Sequence, residues 1–396
     1  MTRERLFTRP FVLVSLANLF QGMSFFLFVH LPRYLEDLGA NAVLIGVIVG
    51  VTAIASIASR PAIGTIMDTQ GRRPVILVGN VVNVGAILLY LTVSSLGPWI
   101  YVVRIIHGVA EASLFTALFT YGADVVPASR RTEGLALFGV SGLLPIALGG
   151  LLGDVVLAQA GFDELFLTAA AFAFGALVIS LWLPERAPAL EDTKAKTGYF
   201  EAIRRPDLLP IWFIIGAFSL VLTGYFTFLR TFIDDVGIGS VGLFFAFYAG
   251  TAIALRLAFA WLPARVGEKK VLFPALAAIA IGFVLLARVE TSVDVALAGV
   301  MCGAGHGYAF PILFGFTVTR SPVAVRGATL SFFTALFDIG VLIGGPLLGF
   351  IISVSGYPAM YGVAAALISI ASVIYWRWDR RYDYEDLDED IPAPTP

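Results

Sequence analysis

The sequence predicts an all-α polytopic membrane protein, with twelve transmembrane helices in two parallel six-helix repeats around a central cavity. Three observations support this fold class. The 396 residues are 58% hydrophobic and 14% charged. Twelve apolar stretches are long enough to cross a bilayer. The second half of the chain repeats features of the first at a displacement of 195 or 196 residues.

The composition leaves too little polar surface to cover a water-soluble globule of this size, and the mean hydropathy is +0.88. A spanning helix needs about 20 apolar residues to cross roughly 30 Å of hydrocarbon. A β-barrel would alternate in polarity along each strand, and residues 341–349 do not alternate. The predicted spans are residues 10–31, 43–66, 75–95, 98–124, 133–157, 163–183, 207–232, 241–263, 271–288, 293–319, 327–353 and 358–376.

The distribution of positive charge predicts the orientation. With the N-terminus inside, twenty of the 26 lysine and arginine residues flank the inner ends of the spans and three flank the outer ends. Since positive loops stay in the cytoplasm, we expect both termini to be cytoplasmic and the protein to lie in the plasma membrane. The other three, Arg60, Arg104 and Arg256, lie inside spans. Arg60 and Arg256 are expected to reach the headgroups or to close cytoplasmic contacts.

The chain divides near its middle. Residues 1–183 form the predicted N-terminal bundle and 207–378 the C-terminal bundle, joined by a proline-rich, charged cytoplasmic linker at 184–206. Residues 379–396 are acidic and predict a disordered cytoplasmic tail. The single cysteine, Cys302, excludes an intramolecular disulfide or a thiolate metal cluster, and no cofactor, metal or nucleic acid is expected.

The internal repeat is carried by glycines and arginines. Because each half has six spans, both halves begin on the same face, which makes them parallel repeats with a cleft between them. Rocking of two such halves about the cleft is alternating access. The matched pairs are Gly46 with Gly242, Arg60 with Arg256, Gly71 with Gly267, Gly108 with Gly303, Pro127 with Pro322, Arg131 with Arg326, and Gly149-Gly150 with Gly344-Gly345.

Several motifs resemble those of the major facilitator superfamily, and the resemblance covers nearly the whole chain. The loop GTIMDTQGRR at 64–73 resembles its first signature, RIIHG at 104–108 its second, and GLLPIALGG at 142–150 its third, which is typical of exporters. The sequence FDIG at 337–340 followed by GGP at 344–346 most resembles arabinose-efflux-like and multidrug-type exporters.

The resemblance implies a conformational gate at the cytoplasmic edge. In the family, the aspartate of the first signature meets the start of span 11 when the transporter faces outward. Carried over, Asp68 would lie near residue 327, where a helix N-terminus attracts an anion. An arginine of the same loop would pair with the acid that ends span 4. The implied gate residues are Gly64, Asp68, Gly71, Arg72, Arg73, Asp124 and Arg131.

Ionisable groups at membrane depth are the candidate chemistry, because burying them in a bilayer is costly. Arg104, His107 and Glu111 lie on one stripe of span 4, and His306 occupies the position equivalent to Glu111 in the other half. The resemblance places spans 1, 4, 7 and 10 around the cavity. We therefore expect Glu111 to be the main protonation site, with Arg104 tuning its proton affinity and the histidines relaying protons or binding. The structural alternative is a buried Arg104–Glu111 pair with histidines bonded to backbone.

Other polar residues within the spans are weaker candidates. Asn18, Gln21 and Tyr225 are expected to offer polar contacts to a substrate, although amides in membrane helices also tie helices together. Asp338 is a candidate second proton site, or an aspartate bonded locally among closely packed glycines.

These features predict a monomeric secondary active transporter that moves a small amphipathic solute across the lipid bilayer by alternating access, through proton-coupled efflux (antiport). The nearest alternative is a proton-coupled or facilitative importer of a small polar solute. A transport-silent sensor or scaffold would need a folded cytoplasmic domain, which the linker and tail are too short to form. Intramembrane enzymes need motifs such as HisGluXXHis, and ATP hydrolysis needs a Walker sequence; neither is present.

Overall fold

The computed structural model describes residues 5–127, 130–185, 204–321 and 326–380, apart from the side chains of residues 68, 131–133, 136 and 326–328. These ranges contain helices and short connections, and eleven of the helices are long and apolar enough to cross a membrane. The last of them, Arg326–Asp379, has 54 residues and breaks its helical geometry at Gly356, where φ is 79° and ψ is 175°. It is therefore two spans, and the predicted twelve-helix, two-repeat fold is confirmed.

The helices are numbered α1 to α12 by span, and each predicted span overlaps one of them. A short helix, Leu262–Val266, follows α8. The bounds are α1 Arg9–Asp37 with a 3-10 turn at Leu27–His30, α2 Ala42–Gln70, α3 Arg72–Leu89, α4 Pro98–Val125, α5 Arg131–Gln159, α6 Phe162–Leu181, α7 Leu209–Val236, α8 Val241–Ala258, α9 Glu268–Ala287, α10 Ser292–Arg320, α11 326–355 and α12 357–379.

Local sequence explains where the helices begin and end. The Asn41 side chain accepts a hydrogen bond from the Leu44 N–H at 2.9 Å and caps α2. Thr291 and Asp294 form a reciprocal capping box at the start of α10. Gly71 ends α2 with φ at 92°, a conformation that favours glycine. These signals turn continuous apolar sequence into separate spans.

The two halves meet along two seams that are equivalent by the internal repeat. In the first seam, α2 packs on α11 where Gly46 faces Gly345, and a Cβ on either glycine would clash with the other backbone. In the second, α5 packs on α8 where Gly150 lies beside Gly242. Small residues allow such close backbone approach between membrane helices. The glycine pairs found from the sequence repeat are thus the contacts that join the lobes.

We call the end of the bundle that carries residues 5–9 and 379 the terminal end, and the opposite end the distal end. The linker at 184–206 lies largely outside the described residues, as does the predicted tail beyond Arg380. Asp379, expected at the start of that tail, is instead the buried last residue of α12. Its carboxylate pairs with Arg320 at 3.0 Å and with Lys269 at 2.9 Å.

Candidate transport site

The central feature of the site is a histidine–carboxylate pair in the middle of α4. Nε2 of His107 lies 3.2 Å from Oε1 of Glu111, one helical turn away. The His107 side chain is 2% exposed and that of Glu111 is 17% exposed. The distance suits an ion pair, but the alignment does not suit a hydrogen bond, so both atoms lack a hydrogen-bond partner among the described residues. Such under-satisfied buried groups are the exception in folded proteins.

The contacts of Arg104 are to backbone carbonyls and hydroxyl groups of neighbouring helices. Its guanidinium donates to the backbone carbonyls of Ile48 and Val49 at 3.1 and 2.9 Å, and to the Tyr90 hydroxyl at 3.2 Å. The Tyr90 hydroxyl also bonds to Nδ1 of His107 at 3.1 Å. Within the described residues, the polar side chain that faces Glu111 is therefore His107, and Arg104 ties α4 to α2 and α3. The guanidinium reaches the α2 carbonyls because that helix packs closely against α4 at Gly108.

An ion pair crosses the first seam near the same depth. Arg60 of α2 donates to Oδ2 of Asp338 on α11 at 2.7 Å and to Oγ1 of Thr334 at 3.1 Å. The Ser56 hydroxyl donates to the same carboxylate oxygen at 2.8 Å. Glu111 lies within electrostatic range of Asp338. A titratable carboxyl group of the N-terminal lobe therefore shares an electrostatic neighbourhood with the contact between the lobes.

His306 occupies an aromatic environment in the other lobe. Its Nδ1 contacts the Tyr248 hydroxyl, which lies 3.4 Å from the hydroxyl of Tyr225. The rings of Phe218 and Phe310 lie 5.5 and 5.7 Å from the imidazole. Tyr225 is fully buried in this cluster, and its expected role as a polar contact to substrate stays a prediction. An aromatic ring packs well among the neighbouring rings, and its hydroxyl is satisfied inside the lobe.

The two amides of α1 tie helices together in this conformation. Asn18 donates to the Ser141 hydroxyl of α5 at 2.9 Å. Gln21 is buried and accepts from the Asn83 amide of α3 at 3.1 Å. Both amides therefore already have partners within the N-terminal lobe, which corresponds to the structural alternative for these residues.

The distal ends of the two lobes are held by a polar cluster that the sequence analysis did not identify. Asp154 at the end of α5 accepts from the Gly242 N–H in the first turn of α8 at 2.6 Å and pairs with Arg230 of α7 at 3.2 Å. Arg230 also contacts Nδ1 of buried His30, whose Nε2 bonds to the Gly150 carbonyl at 3.3 Å. We call these residues the distal latch. The sequence signal that could have indicated this cluster is the small number of arginines at the outer ends of the spans, one of which is Arg230.

Part of the predicted cytoplasmic gate lies within the described residues. Arg72 Nε is 3.1 Å from Asp124 Oδ2 at the end of α4, and Arg72 also donates to the Met67 carbonyl. Arg73 instead pairs with Glu185 at 3.4 Å. The side chains of Asp68, Arg131 and residue 327 lie outside the described part of the structure, and so does any contact between them. A Cβ on Gly64 would meet nothing within 4 Å.

Comparison with known proteins agrees with this architecture. The profile of the Major Facilitator Superfamily matches residues 11–322 and 235–395. The MFS-type transporter YhhS of Escherichia coli K12 is 27% identical over 365 residues, covering 89% of this chain and 87% of the relative. The Salmonella typhimurium YhhS is 26% identical over 362 residues, with the same coverage.

Solved transporters share the fold at low sequence identity. A POT family transporter in complex with a thioalcohol-conjugated peptide superposes with a TM-score of 0.80 at 14% identity, covering 95% of this chain and 97% of that one. The nucleoside transporter NupG gives a TM-score of 0.72 at 14% identity, with 96% and 100% covered. The matched profile, the relatives and the fold together show that this multi-pass membrane protein belongs to the Major Facilitator Superfamily of transporters.

Proposed function

We propose that the protein is a proton-coupled exporter of small amphipathic solutes, of the arabinose-efflux-like or multidrug-type branch, with Glu111 as the residue that carries the proton. The His107–Glu111 pair supports this proposal most strongly. A carboxyl group at mid-membrane is a candidate for proton binding when it is partly exposed and no well-aligned hydrogen bond holds it in one protonation state. Nε2 of His107 lies 3.2 Å from Glu111 Oε1, so the imidazole is placed to pass a proton to or from that carboxyl group.

The proton on Glu111 is coupled to the lobes through the first seam. When Glu111 is ionised, it and Asp338 are like charges within electrostatic range, and Arg60 serves as the positive charge between the lobes. Protonation of Glu111 removes the like charge near Asp338, and this strengthens the contact between α2 and α11. Loss of the proton weakens that contact. The charge state of one carboxyl group thereby biases the angle between the two lobes.

The two ends of the bundle supply the alternate closures. In this conformation the distal latch closes the distal end, through the contacts of Asp154 and Arg230 with the opposite lobe. In the opposite conformation we propose that Asp68 meets the start of α11, while Arg72 and Asp124 keep the α2–α3 loop in place within its lobe. Anions favour helix N-termini by about 0.3–1 kcal/mol, which is enough to bias a balanced equilibrium.

The orientation follows from the charge distribution of the sequence. We propose that the terminal end faces the cytoplasm, that the protein lies in the plasma membrane, and that it works as a monomer because each chain contains both lobes of a transport unit. On this orientation the distal latch faces outward and closes the outer end of the bundle in the present conformation.

Reconstitution tests the proposal directly. The full chain is inserted into liposomes, a pH step is imposed, and a panel of labelled amphipathic compounds is followed together with a pH-sensitive dye. An exporter by antiport moves compound against the direction of proton flow. Movement of compound and protons in the same direction would identify the importer instead. Transport that ignores the pH step would contradict proton coupling.

A further inference from the structure

The two seams between the lobes differ in charge. Arg60 of α2 and Arg256 of α8 are equivalent by the internal repeat, and both lie against a helix of the opposite lobe. Arg60 is neutralised by Asp338 at 2.7 Å. Among the described residues, no carboxylate lies within ion-pair distance of Arg256, whose only hydrogen bond there is from Nε to the Gly307 carbonyl at 3.3 Å. Within the part of the chain that the structure describes, the charge of Arg60 is balanced by a carboxylate and that of Arg256 is not.

The partners of Arg60 have all been replaced in the second seam. Arg60 contacts Asp338 and Thr334 directly, and Ser56 supports the Asp338 carboxylate. A displacement of 195 residues places Leu143 and Gly139 at the positions of Asp338 and Thr334, and a displacement of 196 places Ala252 at that of Ser56. Each replacement removes a side-chain oxygen atom, so these positions offer the Arg256 guanidinium no side-chain hydrogen-bond acceptor.

The guanidinium occupies the equivalent position nevertheless. Nη1 of Arg256 lies 3.5 Å from where a Cβ on Gly139 would be, just as Nη1 of Arg60 contacts Thr334 at the matching position. Gly139 leaves space where the first seam has a side chain. Leu143 is 7% exposed and supplies an apolar wall. Within the described residues, the second seam thus presents a partly buried cation without a carboxylate partner, beside a glycine and an apolar side chain.

The surroundings favour an amphipathic anion. His306, next to Gly307 in the chain, lies within electrostatic range of Arg256. The rings of Phe218 and Phe310 pack around His306, so its surroundings are aromatic and apolar. A guanidinium binds a planar carboxylate through paired N–H donors, and a low dielectric strengthens such a bond. A neutral or cationic group would leave the buried charge of Arg256 uncompensated, at a cost.

We propose that Arg256 is a substrate-binding residue and that the cargo is an amphipathic organic anion, whose acidic group takes the place that Asp338 fills in the first seam. This rests on the proposed transport function, and it adds the chemical class of the cargo. The proton and the cargo then use opposite seams. Glu111 supplies the titratable carboxyl group near the first seam, where Asp338 balances Arg60, while Arg256 gives the second seam its positive charge.

Direct binding tests the proposal without relying on transport. The purified full chain is titrated with 3-phenylpropionate, 3-phenylpropionamide and 3-phenylpropylamine, which share one apolar body and differ in charge, and thermal unfolding is followed. We expect saturable protection by the carboxylate alone, at millimolar concentrations or below. Equal protection by all three compounds, or none by the carboxylate, overturns the proposal. Carboxylate binding without proton-driven transport would uphold the anion site and reject the proposed coupling.

Two variants identify the residue. Arg256→Gln is expected to weaken carboxylate binding about tenfold or more, because a charge-assisted bond is lost. Leu143→Asp keeps Arg256 and rebuilds the partner that Arg60 has, so it should abolish the preference for the anion while the protein stays folded. The matched control is Leu144→Asn, at an exposed neighbouring position, which should bind as the wild type. Unchanged carboxylate affinity in both Arg256→Gln and Leu143→Asp would refute the role of Arg256.

Discussion

Replacing Asp154 by asparagine should open the distal end. The Asp154 carboxylate makes two bonds to the opposite lobe, at 2.6 Å to the Gly242 N–H and at 3.2 Å to Arg230. Both charged side chains are about one-fifth exposed, at 20% and 19%. Hydrogen bonds to charged groups contribute about 1.5–3 kcal/mol, and neutral ones about 0.5–1.5 kcal/mol. Asparagine retains a neutral bond to Gly242 and loses the charge, so the closed state should lose about 2 kcal/mol, roughly a thirtyfold change in the open-to-closed ratio.

Pulsed electron paramagnetic resonance measures that ratio. Spin labels are placed on cysteines at Gln159 and Ser353, which are exposed at the distal ends of α5 and α11 in opposite lobes. Cys302 is buried and is replaced by alanine to leave the labels alone. Asp154→Asn should enlarge the population with the longer distance, while Asp163→Asn, which removes an exposed distal carboxylate at the start of α6, should not. Equal distance distributions in the wild type and Asp154→Asn would refute the latch.

Three further predictions concern packing and charge. Gly303→Val should prevent stable folding, because a Cβ there would overlap the α8 backbone, whereas Gly315→Ala, with nothing within 4 Å, should leave the thermal unfolding temperature unchanged; equal temperatures would contradict the close packing. Asp379→Ala should lower the free energy of unfolding by about 3 kcal/mol, because it leaves its buried arginine partner without its carboxylate. Chemical denaturation measures this loss, and a much smaller loss would contradict the buried pairing. Arg60→Asp and Asp338→Arg should each abolish transport, and the double exchange should restore part of it; no recovery in a liposome assay would count against the interlobe pair.

Hydropathy was sufficient to predict the twelve helices, and matched glycines and arginines were sufficient to predict the two repeats. Gly46 and Gly345 were matched to Gly242 and Gly150 as a repeat, and the same glycines prove to be interlobe contacts, because only residues without a side chain permit such close approach.

Partnerships across the chain were harder to predict. Arg104 and Glu111 share a helical stripe, which suggested an ion pair, but the α2 carbonyls lie closer to the guanidinium. The partner of Arg60 is 278 residues away on α11. Asp154 and Arg230 lie in opposite lobes, so their ion pair depends on how the lobes pack together. Helical periodicity orders side chains around one helix, and it carries no information on which helix of the other lobe faces them.

The central claim is that Glu111 carries the proton, and comparing exchange with proton-driven transport in Glu111→Gln tests it most directly. Glutamine keeps the size and polarity of the side chain but cannot titrate. We predict that the variant still exchanges labelled for unlabelled substrate across the liposome membrane, because the lobes still rock, while an imposed pH gradient no longer drives accumulation. Accumulation in Glu111→Gln at the wild-type rate under the same gradient would contradict the account.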